Sequence, residues 1–332
     1  MRAAFYEKMG PAREILEVGE MPDPSAQSGE VRVRIMASGV NPSDVKMRMG
    51  TGSAASGSSF GPFPRIIPHS DGAGIIDQVG AGVPQSRLNE RVWVWNARWN
   101  RPFGTAAEYV TLPSAQAVRL PDGTDFAAGA CLGIPALTAW QGIETDGGVQ
   151  PGDWVLVNGG AGAVGHYAVQ MAKAKGARVI TTVSSSAKAA HARAAGAEFV
   201  IDRKQEDVVA RIRHITHDKG VARAIEVDFS GNIAWLPQVM ADYGLVAIYG
   251  SSQREASVAF GPSILGNIAY RFFIVYNQPL ALRARAVADL TDMLRNKALQ
   301  HCIAATYDLN DVAAAHEAVE SGTVMGNIVV TP

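Results

Sequence analysis

The sequence predicts an α/β protein in two parts, a β-rich domain and a doubly wound parallel sheet, and three observations carry that expectation. The first 125 residues hold short β-rich runs cut by Gly and Pro. From about Gly152 apolar strands alternate with helical segments, the pattern of βαβ units. A G-x-G-x-x-G run stands between the first of those strands and its helix. A length of 332 residues suits two domains at roughly 150 residues apiece.

The β-rich runs of the first part include Val31–Val40 (VRVRIMASGV) and Arg91–Trp95 (RVWVW). Between them Gly50–Pro64 is small, polar and glycine-rich. It reads as a long loop, either a lid near a site or a solvated insertion. In the second part, strands are expected at Trp154–Val157, Arg178–Val183, Phe199–Ile201, Ala224–Val227 and Leu245–Tyr249. One helix follows from Val164, Ala168, Met171 and Ala172 at i, i+4, i+7 and i+8, with Lys173 and Lys175 in its last turn and Gly176 beyond. Another follows from Val208, Ile212 and Ile215. The apolar run Phe272–Tyr276 reads as a sixth strand at the sheet edge, and so hydrophobic an edge is expected to be covered by another subunit. A helix over Arg283–Leu299, a strand over Cys302–Leu309, a helix over Val312–Glu320 and a last strand at Asn327–Val330 complete the chain.

Trp154–Gly165 (WVLVNGGAGAVG) places glycines at 160, 162 and 165 after a buried strand. Gly160 permits the tight turn, Gly162 lets backbone N–H groups approach a pyrophosphate, and Gly165 lets the helix pack on the strand. The helix N-terminus attracts the negative charge. The second strand then ends in Ser184, Ser185 and Ser186, with no carboxylate to bind the ribose 2′-hydroxyl of NAD. A 2′-phosphate can instead sit against Ser184 and the ammonium of Lys188, with Arg203 adding a fork of donors, which points to NADPH. The plainer alternative has Ser184 capping the next helix, and Lys188 and Arg203 as solvated surface charges.

Other classes find no support. With 30 basic against 31 acidic side chains, the chain has no electrostatic footprint for nucleic acid or an anionic membrane. No run approaches the ~20 apolar residues of a bilayer span, and Met1–Glu20 lacks the apolar core of a signal peptide. Cys131 and Cys302 build neither a disulfide framework nor a four-cysteine zinc lobe, so a soluble, cytoplasmic protein is expected. The seven histidines form no H-E-x-x-H pattern, and no G-x-S-x-G elbow supports hydrolase chemistry.

Several segments together resemble the medium-chain dehydrogenase/reductase superfamily, in its zinc-free quinone oxidoreductase branch. They are Gly39–Gly50 (GVNPSDVKMRMG), Ile67–Gly80 (IPHSDGAGIIDQVG), Gly104–Pro113 (GTAAEYVTLP), Cys131–Trp140 (CLGIPALTAW), the GGAGAVGHYAVQMAKAKGA run and the terminal GNIVV. The resemblance implies a GroES-like catalytic domain formed by 1–125 and 267–332, with a Rossmann NADPH-binding domain, 126–266, inserted and the active site in the cleft. It implies that Asn41 and Asp44 line the pocket beside the nicotinamide and that Thr138 packs near its ring. Gly162, Ala163 and Val164 would hold the pyrophosphate, while Ser251 and Asn327 approach the nicotinamide half. Each has a plainer counterpart: Asn41 as a turn before Pro42, Thr138 as part of its helix, Asn327 as a partner of backbone only.

In zinc-dependent relatives the positions matching Asn41 and Ser70 are Cys and His ligands, so no zinc is expected. Many relatives have Tyr where this chain has Lys46, which either stabilises a developing oxyanion or pairs with Asp44. Trp93 and Trp95 lie on opposite faces of one strand, so at most one can meet a planar acceptor. The expected activity is hydride transfer from NADPH to a quinone, which needs no Lewis acid. The rivals are reduction of an enoyl or alkenal double bond, and a structural or regulatory nucleotide-binding role without turnover. The unit is expected to be a homodimer or homotetramer formed through the Rossmann sheet edge.

Overall fold

The computed structural model describes residues 1–51 and 63–332; Gly50–Pro64, read above as a lid or insertion, lies outside the described residues except at its ends. In chain order the strands are β1 (Arg2–Phe5), β2 (Glu17–Glu20), β3 (Glu30–Val40), β4 (Asp71–Val79), β5 (Arg91–Val94), β6 (Tyr109–Pro113), β7 (Ala117–Arg119) and β8 (Trp154–Asn158). They continue as β9 (Arg178–Val183), β10 (Phe199–Asp202), β11 (Val221–Glu226), β12 (Met240–Ile248), β13 (Ala269–Phe272), β14 (Ile303–Asp308) and β15 (Asn327–Thr331). The helices are α1 (Ala12–Ile15), α2 (Pro42–Met49), α3 (Phe126–Gly129), α4 (Leu137–Glu144), α5 (Ala163–Ala174) and α6 (Ser186–Ala194). Then come α7 (Val208–Thr216), α8 (Phe229–Asn232), α9 (Phe260–Leu265), α10 (Leu280–Arg295) and α11 (Val312–Glu320).

The chain forms two units, Met1–Pro135 with Val287–Pro332, and Ala136–Ala286. These limits fall later than the 125/126 and 266/267 read from the sequence. At the second limit the reason is that β13 pairs with β12 and so belongs to the inserted unit.

In the first unit a sheet runs β14-β15-β3-β4-β5-β7, with β6 also paired to β3. Along β3, Val31, Val33 and Ile35 alternate inward and meet Ile76, Val92, Val94, Val110 and Leu112. The C-terminal tail is held to this unit by burial: Val312 and Ala315 of α11 and Ile328 and Val330 of β15 pack with Ala3, Ala4, Phe5 and Ile67. Each fully buried aliphatic side chain contributes about 1.5–3 kcal/mol to that attachment. Trp93 and Trp95 are both buried.

In the second unit six parallel strands follow the order β10-β9-β8-β11-β12-β13, the doubly wound arrangement. Val155, Leu156 and Val157 are buried without alternation because helices cover both faces of such a sheet. Ile212 and Ile215 of α7 fill one core beside Leu156, Ile180 and Ile201.

Several expected elements shift: β11 begins at Val221 rather than Ala224, and β12 at Met240 rather than Leu245. The edge strand is Ala269–Phe272, ending where the apolar run Phe272–Tyr276 begins, because its register runs out opposite Ile248. Val275 and Tyr276 instead turn inward in a short 3-10 segment. The long helix spans Leu280–Arg295 rather than Arg283–Leu299; it starts after Pro279, and Lys297 takes a left-handed φ of 52° that stops it short of Leu299.

Candidate active site

In the second unit all six strands end at one edge, and the strand order reverses between β8 and β11. Ligands of doubly wound sheets bind outside such an edge, at that reversal. The glycine turn sits there. Gly159, not Gly160, takes the left-handed conformation, with φ of 75°. Gly160 is required for a close approach: its N–H donates to Thr181 Oγ1 at 3.0 Å, and a Cβ would run into that oxygen. A Cβ on Gly165 would run into the Gly159 carbonyl oxygen, so this glycine lets α5 pack on the turn. Gly162 precedes α5 with φ −79° and ψ 170°, and a Cβ there would meet only the Gly159 oxygen, at 3.3 Å. The approach to the first N–H groups of α5, around Ala163 and Val164, is therefore open. Those groups and the helix dipole suit an anion. Gly159 and Thr181 were not singled out in the sequence; a fourth glycine, just ahead of the three of the motif, was the available signal.

The end of β9 carries the second part of this site. Ser185, not Ser184, caps α6, its Oγ accepting the Lys188 N–H at 3.3 Å. Asp202 of β10 faces Val183, and the Arg203 N–H donates to the Val183 carbonyl at 3.0 Å. Arg203 thus emerges beside half-buried Ser184, with Lys188 in the first turn of α6. Ser251, after β12, accepts from the Ser230 N–H at 3.3 Å and donates to the Gln253 carbonyl at 2.7 Å. Thr138 is buried within α4. The start of α5 and the serine-rich end of β9, with Lys188 and Arg203 beside it, have the donor chemistry of a site for a dinucleotide with a 2′-phosphate.

The first unit gathers the other expected residues at one end of its sheet. Val40 faces Ile328 across the β3–β15 ladder, so Asn41 and Asn327 follow each other there, and Gly39 faces Asp71 across β3–β4. Asn41 is buried, and its Nδ2 donates to Asp71 Oδ2 at 2.9 Å. Its backbone N–H donates to Asp44 Oδ2 at 2.9 Å, half of a capping box at the start of α2. Burial pushes the Asp44 carboxyl up to about 7, against the pull of the Asn41 hydrogen bonds and the Arg98 charge. Lys46 lies on the exposed side of the same helix. Asn327 donates through Nδ2 to the Cys302 carbonyl at 3.1 Å.

Behind Asp71 runs a buried polar chain that the sequence did not reveal. Arg48 Nε donates to His316 Nδ1 at 3.4 Å, and His316 Nε2 lies 2.9 Å from His69 Nε2. His69 Nδ1 lies 2.8 Å from Ser38 Oγ, Ser38 Oγ lies 2.8 Å from Thr105 Oγ1, and Thr105 donates to the Asp71 carbonyl. An arginine only donates, so one direction satisfies every link: His316 carries its proton on Nε2, His69 on Nδ1, and each hydroxyl passes its own onward. Burial holds His69 down to about 3 and His316 well below the ordinary histidine value, so both are neutral. His69 adopts φ of 73°, strained for a side chain of this size.

The residues do not fit zinc. Asn41 spends its amide on Asp71, Ser70 is buried, and the Cys131 thiol donates to the Ala127 carbonyl at 3.2 Å. Among the described residues no three His, Cys, Asp or Glu side chains are placed to hold a metal.

Residues 27–122 match the family described as alcohol dehydrogenase GroES-like domain, and residues 163–296 match that described as zinc-binding dehydrogenase. A quinone oxidoreductase of Rattus norvegicus is 32% identical over 254 residues, covering 75% of this chain and 73% of that protein. A 2-haloacrylate reductase of Burkholderia sp is 27% identical over 350 residues, covering 100% of this chain and 99% of that protein. Among solved structures, an NAD-dependent alcohol dehydrogenase superposes with a TM-score of 0.90 at 28% identity, covering 100% of both chains. A mycobacterial protein complexed with NADPH superposes with a TM-score of 0.88 at 25% identity, again covering 100% of both. With its GroES-like first unit and its Rossmann second unit, the chain belongs to the quinone oxidoreductase family of the medium-chain dehydrogenases/reductases.

Proposed function

We propose that this oxidoreductase is cytoplasmic and independent of zinc, and that it reduces a quinone at the expense of NADPH. The observation that carries the cofactor reading is the end of β9, where Ser184, Lys188 and Arg203 stand close in the fold and the strand itself runs into Ser184–Ser186 rather than a carboxylate. NADPH, when bound, supplies a hydride. The chain's own part is to hold the pyrophosphate against the start of α5 and the 2′-phosphate against Arg203 and Lys188. Thr138, Ser251 and Asn327 orient the nicotinamide half. Asn41, its amide held by Asp71, and Asp44, near its titration midpoint at neutral pH, line the acceptor side. Lys46 offers a cation to the oxyanion that develops on the acceptor.

The second reading, reduction of an activated carbon–carbon double bond, is favoured by the full-length likeness to a 2-haloacrylate reductase. Initial rates of NADPH oxidation, run side by side with an ortho-quinone and an α,β-unsaturated ketone, decide between them. Faster turnover of the quinone is expected; preference for the enone moves the assignment to double-bond reduction.

The assembly is read as a homodimer or homotetramer joined through the edge of the second unit's sheet. The edge strand β13 exposes Phe272, and nearby α9 exposes Phe260, Ile264 and Leu265. So much uncovered apolar surface beside unpaired backbone favours a second copy as its cover.

A further inference from the structure

The end of β11 holds a carboxylate that none of the roles above uses. Glu226 is fully buried and takes three donors: Asn158 Nδ2 at 2.5 Å, Asn232 Nδ2 at 2.9 Å and the Asp228 N–H at 2.5 Å. Ile225 faces Val157, and Asn158 faces Thr182, so Glu226, Asn158 and Thr182 form one row across β11, β8 and β9 at the edge where the strand order reverses. The row is hydrogen-bonded throughout. The Thr182 hydroxyl donates to Asn158 Oδ1 at 2.9 Å, and the Gly159 N–H donates to Thr182 Oγ1 at 3.3 Å. Gly159 is the left-handed residue that opens the glycine turn. On its other side Glu226 holds the Asp228 N–H, and Asp228 Oδ1 accepts from the Ser252 N–H at 2.8 Å, next to Ser251. One carboxylate therefore connects the glycine turn with the loop after β12. A carboxylate at this depth is costly unless its neighbours hold it, and a sheet core does not need one there.

We infer that Glu226 is the positioning residue of the dinucleotide site: through Asn158 and Thr182 it sets the Gly159 peptide, and through Asp228 it sets the 251–253 loop. This rests on the dinucleotide reading above. The donor–acceptor order is directional. Glu226 only accepts, so Asn158 turns its NH2 to Glu226 and its oxygen to Thr182, which leaves a Thr182 lone pair for Gly159. Glu226→Gln inserts an NH2 among three donors and breaks that order without changing shape. Adding Asn158→Asp restores it: the introduced amide then donates to the introduced carboxylate, which still accepts from Thr182, and the total charge is unchanged.

Equilibrium binding of NADPH and NADH, followed by tryptophan fluorescence on the intact chain, tests this. Glu226→Gln is expected to weaken both nucleotides by the same factor, roughly ten- to a hundredfold for a disordered network of buried charged hydrogen bonds, since the turn touches what they share. Glu226→Gln with Asn158→Asp is expected to return within about threefold of wild type. Thr182→Val, at the far end of the row, is expected to weaken both at least about threefold and serves if the Gln variant fails to fold. Wild-type affinity in the folded Gln variant or in Thr182→Val would overturn the inference, as would a double variant no better than the single one. A wild-type chain that binds neither nucleotide would overturn the dinucleotide reading and this inference together.

Discussion

Arg203 and Lys188 reach the end of β9 from different elements, one by a backbone bond to Val183 and the other from the first turn of α6. Replacing either with Ala is expected to weaken NADPH by on the order of 1 to 3 kcal/mol while leaving NADH nearly unchanged. Equal losses for both nucleotides, measured by titration, would contradict a 2′-phosphate subsite. The buried pair of His69 and His316 gives a second expectation at this scale. Its folded-state affinity for protons is depressed, to about 3 for His69 from an ordinary 6.5. Below about pH 6.5 the unfolded chain binds protons that the folded pair refuses. The contribution of His69 is therefore fully present above that pH and falls toward pH 3, by about 1.4 kcal/mol per pH unit, and His316 changes in the same direction. Asp44 acts oppositely, since its folded carboxyl stays protonated up to about 7 against an ordinary 3.8, so its contribution falls as pH rises between those values. Urea melts from about pH 8 to about 4.5 should show a shallower acid limb in His69→Gln than in wild type; parallel limbs would contradict it. Residues of the glycine motif were legible because their spacing is diagnostic. Glu226 was not: it stands inside the expected apolar strand Ala224–Val227, and only its partners on other elements give it meaning.

At the scale of elements, β8, β9 and β10 were read nearly to their limits because burial on both faces writes them as apolar runs, whereas the first half of β12, with Asp242 and Gly244, carries no such run and was missed; α11 matches its expected limits. Phe272–Tyr276 was misplaced for the same reason, since an apolar run marks burial and not pairing, and Val275 and Tyr276 are buried without being strand. Within the β8–α5 turn the glycines separate by role. Gly165→Ala drives a Cβ into backbone and is expected to cost about 1–3 kcal/mol of stability. Gly162→Ala brings its Cβ to 3.3 Å from the Gly159 oxygen, a milder contact, and is expected to lose less Tm than Gly165→Ala while losing nucleotide affinity. Thermal melts and nucleotide titrations of the two variants check this, and a loss of Tm in Gly162→Ala as large as in Gly165→Ala would contradict it. For the edge strand, Phe272→Lys is expected to shift the sedimenting species toward monomer at micromolar concentration. An unchanged species would place the subunit contact elsewhere.

For the whole molecule, the sequence already implied a discontinuous GroES-like unit and an inserted Rossmann unit, because motifs from Gly39 to the terminal strand carry the resemblance. Tertiary pairing moved the second limit past 266: β13 pairs with β12 and so stays with the inserted unit, which ends farther on, inside α10. Chemistry follows the same division. The second unit offers an anion-binding turn and a basic corner. In the proposed reading the first brings Asn41, Asp44 and Lys46 to the acceptor, and Asn41 and Ser70 stand where zinc-dependent relatives carry ligands. The most direct test is the initial rate of ortho-quinone reduction by chelator-treated protein, with NADPH and NADH compared at equal concentration. Turnover that persists after chelation, gains nothing from added zinc and prefers NADPH is the expected result. Activity that disappears with the chelator and returns with zinc, or that prefers NADH, would contradict it.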